Sequence, residues 1–261
     1  MNAPSRPQVL CLSGHDPTGG AGIHADIETC AALGAHALTI VTAHTVQDTR
    51  DVRRVSAVAP ILLAAQLDAL LEDCSPRAAK LGLLGDAAQI PVIVQRLTSL
   101  RKPVVLDPIL RAGGGRNLVG ADLQAAVIQT LFPVVDLLTP NADEARRLTG
   151  REDLEACGAA LLERGPKQVL ITGGDERSDA VVNILFSRDA EPRRWSWPRL
   201  PETFHGAGCT LAAAVAALLA CGKSSLQAIE QAQHYVDEAL RRAYAVGGGR
   251  RLPGRLPPTA S

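Results

Sequence analysis

The sequence predicts an α/β protein built on a central, mostly parallel sheet with helices on both faces. Three observations carry this. Short, continuously apolar runs alternate with longer segments of helical spacing along nearly the whole chain, and strands buried on both faces belong to parallel sheets. Hydrophobic residues make up 46% of the 261 residues, supplied by alanine and leucine rather than aromatics, which is enough for one substantial core. Polar and glycine-rich residues gather at the carboxyl ends of the apolar runs, where an open parallel sheet places its ligand crevice.

Taken in order, residues 9–13 read as a first buried strand and 21–33 as the helix after it. Residues 37–42 form a second strand, 52–58 a short and partly polar one, and 61–71 a helix. A strand at 79–84, a helix at 88–100 and a strand at 104–107 follow. Residues 121–131 are helical, 134–139 a strand, and 142–148 and 154–164 helices. Residues 168–172 form a further strand, 181–187 with 193–197 a hairpin, and helices at 210–220 and 226–245 close the fold. Right-handed crossovers make this a doubly wound layer structure. Neither an internal repeat nor a linker interrupts it. The chain 1–261 is therefore expected to be a single domain, ordered over about 8–245. The Gly-Gly-Gly-Arg-Arg stretch from Gly247 and the Pro-rich tail are expected to be loosely held.

Lys and Arg total 27 against 27 Asp and Glu, so no global charge favours nucleic acid or an anionic membrane. No apolar run approaches the ~20 residues that span a bilayer, and the start is too short and polar for a signal peptide. Six cysteines are scattered without C-x-x-C or a Cys/His cluster, which speaks against a disulfide framework and a zinc site and for the cytoplasm.

The most informative stretch is Gly206-Ala207-Gly208-Cys209, running into the alanine-rich helix that begins near Thr210. Glycine permits close backbone approach, and a first helical turn offers free N–H donors and partial positive charge, the setting for a phosphate. Cys209 falls in that turn, where the helix field lowers a thiol pKa. The alternative is a helix start packed tightly on a strand, with Cys209 a small buried hydrophobe. Gly14 belongs to a glycine-rich turn after the first strand that lacks the G-x-G-x-x-G spacing of a dinucleotide site. Asp26, on the following helix, either bonds a substrate hydroxyl or amine or lies on a solvated face.

Asp107 ends a buried strand. Asn141 and Glu144 lie three apart after another, as oxygen ligands for Mg²⁺ or as a helix capping box, and the two readings are compatible. Gly222-Lys223-Ser224 is not a P-loop, because Ala217 stands where that motif needs glycine; it reads as a helix end and a new N-cap at Ser224 or Ser225. The histidines show no ligand spacing. His205, just before the glycine turn, is the one to watch.

An ordered set of blocks then resembles a known family. Residues 9–26, with Val46-Gln47-Asp48-Thr49, Lys80-Leu81-Gly82-Leu83-Leu84, Val104-Val105-Leu106-Asp107-Pro108, Leu138-Thr139-Pro140-Asn141-Ala142-Asp143-Glu144-Ala145 and His205-Gly206-Ala207-Gly208-Cys209-Thr210-Leu211, are similar to hydroxymethylpyrimidine/phosphomethylpyrimidine kinases of thiamine biosynthesis. The resemblance covers roughly residues 8–245. It implies the three-layer α/β/α ribokinase-like fold, ATP and Mg²⁺, a small-molecule pyrimidine substrate and a homodimer. It implies that Gly14, Asp26 and Gln47 hold the aminopyrimidine, Leu83 and Ile109 line its ring, and Asp107, Asn141 and Glu144 surround the metal and triphosphate. Gly206, Ala207 and Gly208 match the anion hole and Cys209 the catalytic base. Thr172 and Gly174 fall at the nucleotide.

Thr172 stands where many relatives carry lysine, and Asp175 where histidine is common; Arg111 or Arg116 either replaces the missing charge or is a solvated loop residue. The alternatives are a pyridoxal or pyridoxine kinase and a non-catalytic pyrimidine-binding protein on the same fold.

Overall fold

The computed structural model describes residues 6–110 and 120–257. Its frame is a nine-stranded sheet in the order β3-β2-β1-β4-β5-β6-β7-β8-β9. The strands are β1 (Gln8–His15), β2 (His36–Gln47), β3 (Val52–Ala57), β4 (Ala78–Leu81), β5 (Val104–Leu106), β6 (Leu137–Leu138), β7 (Gln168–Ile171), β8 (Ala180–Ser187) and β9 (Ala190–Pro198). The run from β2 to β7 is parallel; β3 at one end and the β8–β9 hairpin at the other are antiparallel. The order turns back between β1 and β4, so the loops leaving these strands diverge and open a crevice at their carboxyl ends.

Alternation along β1 feeds two cores. Leu10 and Leu12 belong to one core with Leu63 and Leu67 of α2 (Pro60–Asp73), Ile90 and Ile93 of α3 (Gln89–Leu100), Leu148 of α5 (Ala142–Thr149) and Leu161 of α6 (Leu154–Glu163). Val9 and Cys11 face a second core on the other side, with Cys30 of α1 (Gly22–Ala32), Val215 of α7 (Ala207–Ala220) and Ile229 of α8 (Ser225–Arg241). This is the expected three-layer arrangement. Helix α7 is buried on every side, as its uniformly apolar sequence requires. The described cysteines are all free, and among the described residues no helix is long and apolar enough to cross a membrane.

Several elements differ from expectation; β4 stops at Leu81 rather than residue 84 and α8 at Arg241 rather than residue 245. Strand β2 continues to Gln47 because residues 43–47 pair with β3 beyond the parallel sheet, and this ribbon carries Gln47 over the crevice. The helix at 121–131 is α-helical only as α4 (Ala121–Ala126); a π turn at Val127–Leu131 and a 3₁₀ turn at Phe132–Val134 follow, leaving β6 two residues. The segment after Gly247 is tied down rather than loose. Arg251 and Leu252 bridge to Phe204 and Tyr244, and the Arg255 side chain is fully buried.

Candidate active site

A cavity of about 770 Å³ opens at the carboxyl ends of the strands. Gly14, Gln47, Leu83, Ile109, Asp107, Asn141, Glu144, Thr172, Gly174, Gly206, Ala207, Gly208 and Cys209 all line it. Of the candidate site residues among the described ones, Asp26 alone does not. Arg111 and Arg116 lie outside the described residues.

Gly206 caps α7 with φ +92°, and a Cβ there would stand 1.8 Å from the Gly20 carbonyl oxygen. Only glycine meets both conditions. The turn therefore presses directly on the loop after β1, and Thr210 Oγ1 donates to the Gly206 carbonyl at 2.7 Å, holding the turn from within. No acidic side chain occupies the first turn of α7, which leaves its free N–H groups for an anion.

Cys209 departs from the expected low-pKa thiol. Burial pushes it up to about 12; Lys80 opposes this, while Asp107 and Asp26 add to it. Desolvation outweighs Lys80 and the Gly22 backbone hydrogen bond, both of which favour the thiolate. Its partner is Asp107, with which it shares a hydrogen bond. A cation that neutralises Asp107 removes one of the charges holding the thiol protonated.

Asp26 is neither solvated nor in the cavity. It is buried and ion-paired with Lys80 Nζ at 2.7 Å, and that ammonium also donates to Ser13 Oγ at 2.8 Å. Position 26 faces the sheet across β1 and β4, so the carboxylate meets the one lysine set in an apolar strand. Burial opposes the charge on Lys80, but Asp26, Cys209 and Asp107 together raise its pKa above the ordinary value. Lys80 is thus the fixed positive charge behind the thiol. A lone lysine amid the alanines and leucine of β4 was the available signal for it.

Asp107 and Glu144 are buried carboxylates. Burial first, and then Asp26, raises Asp107 to about 6; burial first, and then Asp107, raises Glu144 to about 8. Asn141 and Glu144 form the full capping box of α5: Asn141 Oδ1 accepts from the Glu144 N–H at 2.8 Å, and Glu144 Oε2 from the Asn141 N–H at 3.0 Å. Asp175 caps the same helix, accepting from the Ala142 and Asp143 N–H groups at 3.2 and 2.7 Å. Among the described residues no cluster of three or more His, Cys, Asp or Glu side chains is arranged to hold a metal by itself. Two mutually repelling carboxylates on a cavity wall still suit a Mg²⁺ that keeps waters and takes its other ligands from phosphates.

Opposite these lies a group that the sequence only hinted at. His205 Nε2 stands 2.7 Å from Asp16 Oδ2 and 3.4 Å from Gln47 Nε2. Burial alone would raise Asp16, but His205 and the Thr18 N–H and hydroxyl outweigh it and hold the carboxyl well below its ordinary value. Asp16 Oδ2 also accepts from the Ala21 N–H at 2.9 Å, fixing the glycine-rich loop that Gly206 touches. Arg255 was missed altogether. Its guanidinium donates to Thr210 Oγ1 at 2.9 Å, Glu28 Oε2 at 3.0 Å, the Gly19 carbonyl at 3.4 Å and the Gly20 carbonyl. One side chain so joins α1, the loop after β1 and the first turn of α7.

The sequence profile of the family described as phosphomethylpyrimidine kinase matches residues 16–253. The chain belongs to the phosphomethylpyrimidine kinase family. The kinase is 37% identical over 259 residues to the hydroxymethylpyrimidine/phosphomethylpyrimidine kinase of Synechococcus elongatus, covering 97% of this chain and 98% of that one. It is 38% identical over 250 residues to the thiamine biosynthesis bifunctional protein ThiED of Geobacter sulfurreducens. There the match covers 94% of this chain and 51% of the relative, so the kinase spans about half of that protein's length. Among solved structures, the pyridoxal kinase from Staphylococcus aureus in complex with AMP-PCP and pyridoxal superposes with a TM-score of 0.88 at 25% identity, covering 97% of this chain and 95% of that one. The kinase fold is the ribokinase-like α/β fold that the sequence resemblance implied.

Proposed function

We propose that this kinase uses ATP with Mg²⁺ to phosphorylate 4-amino-5-hydroxymethyl-2-methylpyrimidine and then its monophosphate, yielding the pyrophosphate for thiamine diphosphate assembly. The observation that carries the reading is the convergence, in one cavity, of Gly14, Gln47, Leu83 and Ile109 with the glycine turn, Cys209 and Asp107. A neutral heteroaromatic needs an apolar wall and a few directional groups. Leu83 and Ile109 supply the wall. Gln47 offers a donor and an acceptor to a ring nitrogen and the exocyclic amine.

The free N–H groups of 206–208 receive the transferred phosphoryl, and Thr172 and Gly174 border the nucleotide. Asp107 and Glu144, with Asn141 beside them, would hold Mg²⁺. The metal supplies charge neutralisation on the triphosphate. Cys209 takes the proton of the attacking hydroxyl, while positioning and charge neutralisation provide most of the acceleration. Asp26 belongs to this reading as the partner that fixes Lys80, not as a substrate ligand. A homodimer in the cytoplasm is part of the same proposal.

An ATP-consumption assay with the alcohol and the monophosphate tests the function, and turnover of neither would overturn it. A second reading, a pyridoxal kinase, is favoured by the 0.88 TM-score to a pyridoxal kinase holding pyridoxal. Competition between pyridoxal and the aminopyrimidine for one limiting pool of enzyme separates the two.

A further inference from the structure

The cavity must take a triphosphate and, in the second transfer, an acceptor that is itself a phosphate, yet Asp16, Asp107, Glu144 and Asp175 line it. The described basic side chains on its wall are Arg199, Arg250 and the imidazoles of His15 and His205. The His15 ring packs against those of His24 and His44. Arg199 is committed to backbone, donating to the carbonyl oxygens of Gly173, Gly174, Glu176 and Ser178. His205 is engaged by Asp16. The guanidinium of Arg250 makes no hydrogen bond or ion pair among the described residues. It is half-buried, and the carboxylates that act on it are those of Asp51 and Asp16.

Its backbone, by contrast, is held on both sides. Gly249 N–H donates to Thr49 Oγ1 and Arg250 N–H to the Thr49 carbonyl, each at 3.0 Å. Arg251 N–H donates to the Thr203 carbonyl at 3.0 Å, and His205 N–H to the Arg251 carbonyl at 2.9 Å. A Cβ on Gly249 would come within 2.2 Å of the Thr49 carbonyl oxygen, so the strap lies flat on the end of β2. This fixes Arg250 between the Gln47 ribbon and the segment leading into the glycine turn, on the acceptor side of the cavity.

We propose that Arg250 binds the phosphate of the phosphorylated pyrimidine and thereby determines whether the second transfer proceeds. This rests on the function proposed above. In that transfer an oxygen of the acceptor phosphate attacks the γ-phosphorus, a P–O bond forms, the bond to the ADP oxygen breaks, and ADP leaves with the electron pair. A dianionic acceptor has no proton to surrender, so the step needs a cation for the acceptor and no base. The first transfer, from a neutral hydroxymethyl group, needs a proton acceptor and no such cation. Arg250 and Cys209 therefore serve different steps.

The test compares kcat and KM for the alcohol and for the monophosphate in the full chain, with ATP and Mg²⁺, for Arg250→Gln, Arg250→Lys and Cys209→Ala. Arg250→Gln is expected to raise KM for the monophosphate at least tenfold more than KM for the alcohol, and Arg250→Lys to recover part of it. Cys209→Ala is expected to show the reverse preference, losing more kcat on the alcohol. Equal losses on both substrates, or none, for Arg250→Gln would overturn the assignment, as would a wild-type kinase that turns over the alcohol alone. Turnover of neither substrate by the wild type would overturn the functional reading itself. Thermal melting of Arg250→Gln within about 2 °C of wild type, as expected for a side chain that makes no hydrogen bond or close ion pair among the described residues, separates a binding loss from misfolding.

Discussion

The Lys80 ammonium and the Asp26 carboxylate meet 2.7 Å apart with neither side chain exposed to solvent, and the same ammonium acts on Cys209 and Asp107. Breaking one partner of a buried pair leaves the other uncompensated, at a cost of about 3–5 kcal/mol. Lys80→Met and Asp26→Asn are each expected to lose that much in urea unfolding. The double variant should lose clearly less than the sum of the two, whereas additive losses would contradict the pairing.

The enclosed Cys209 thiol, held near 12 by burial, predicts selective alkylation. Iodoacetamide at pH 8 should label the exposed Cys221 well before Cys209. Peptide mass spectrometry over a time course reads this directly. Labelling of Cys209 as fast as Cys221 would mean a thiolate in the resting protein.

Glu144 predicts a pH dependence with a definite sign. Its ordinary value is 4.5, and burial with the Asp107 charge raises it to about 8 in the fold. Between these values the unfolded chain has released the proton and the folded protein retains it. Stability of the ligand-free kinase therefore falls as pH rises through that window, by up to about 1.4 kcal/mol per pH unit. Glu144→Gln removes this slope, so its stability relative to wild type should improve towards pH 8 and not at pH 4.5. Parallel urea-unfolding profiles would refute it.

Gly206→Ala places a methyl group 1.8 Å from the Gly20 carbonyl oxygen at a backbone with φ +92°. The turn must move away from the loop after β1, which misplaces the phosphate donors. A fall in kcat of roughly 10²-fold is expected, with the secondary structure unchanged by circular dichroism. Wild-type turnover would show that the turn does not hold the transferred group.

Arg255→Ala strips donors from Thr210, Glu28 and two glycine carbonyls at once. On the order of 3 kcal/mol of stability should be lost, and Arg255→Lys should recover part of it because one charge-assisted contact survives. Equal melting temperatures for the alanine variant and wild type would show the contacts to be without consequence.

Much of this was legible in the sequence. The alternation of apolar runs and helical spacing located nearly every element, because each strand of the parallel sheet is buried on both faces. The glycine turn and the strand-end residues Gln47, Asp107 and Asn141 could be placed because the sheet's geometry brings strand ends to one rim. Asp26 could not, since nothing in a single helix tells whether a carboxylate faces water or a lysine from another strand 54 residues on. The state of Cys209 was misread for a related reason: the helix field is local and visible in sequence, but the burial of the thiol and the charges of Asp107 and Asp26 around it are tertiary. The tail was misread because composition reports how readily a segment orders by itself, not what surface awaits it. Gly249 and Arg255 are specified by Thr49 and Gly20, some two hundred residues earlier.

That last pairing has a consequence for how the kinase is made. Chains are synthesised from the amino terminus, and a domain folds as a unit. A nascent chain that has already produced all nine strands and α7 still lacks Arg255 beneath the Gly20 loop and Arg250 on the cavity wall. Most residues of the two cores are made before this segment, whereas the wall of the cavity is complete only when residues 249–255 emerge and pack against the oldest part of the protein. If Arg250 serves the second transfer as proposed, that activity is expected only once this last segment has been made.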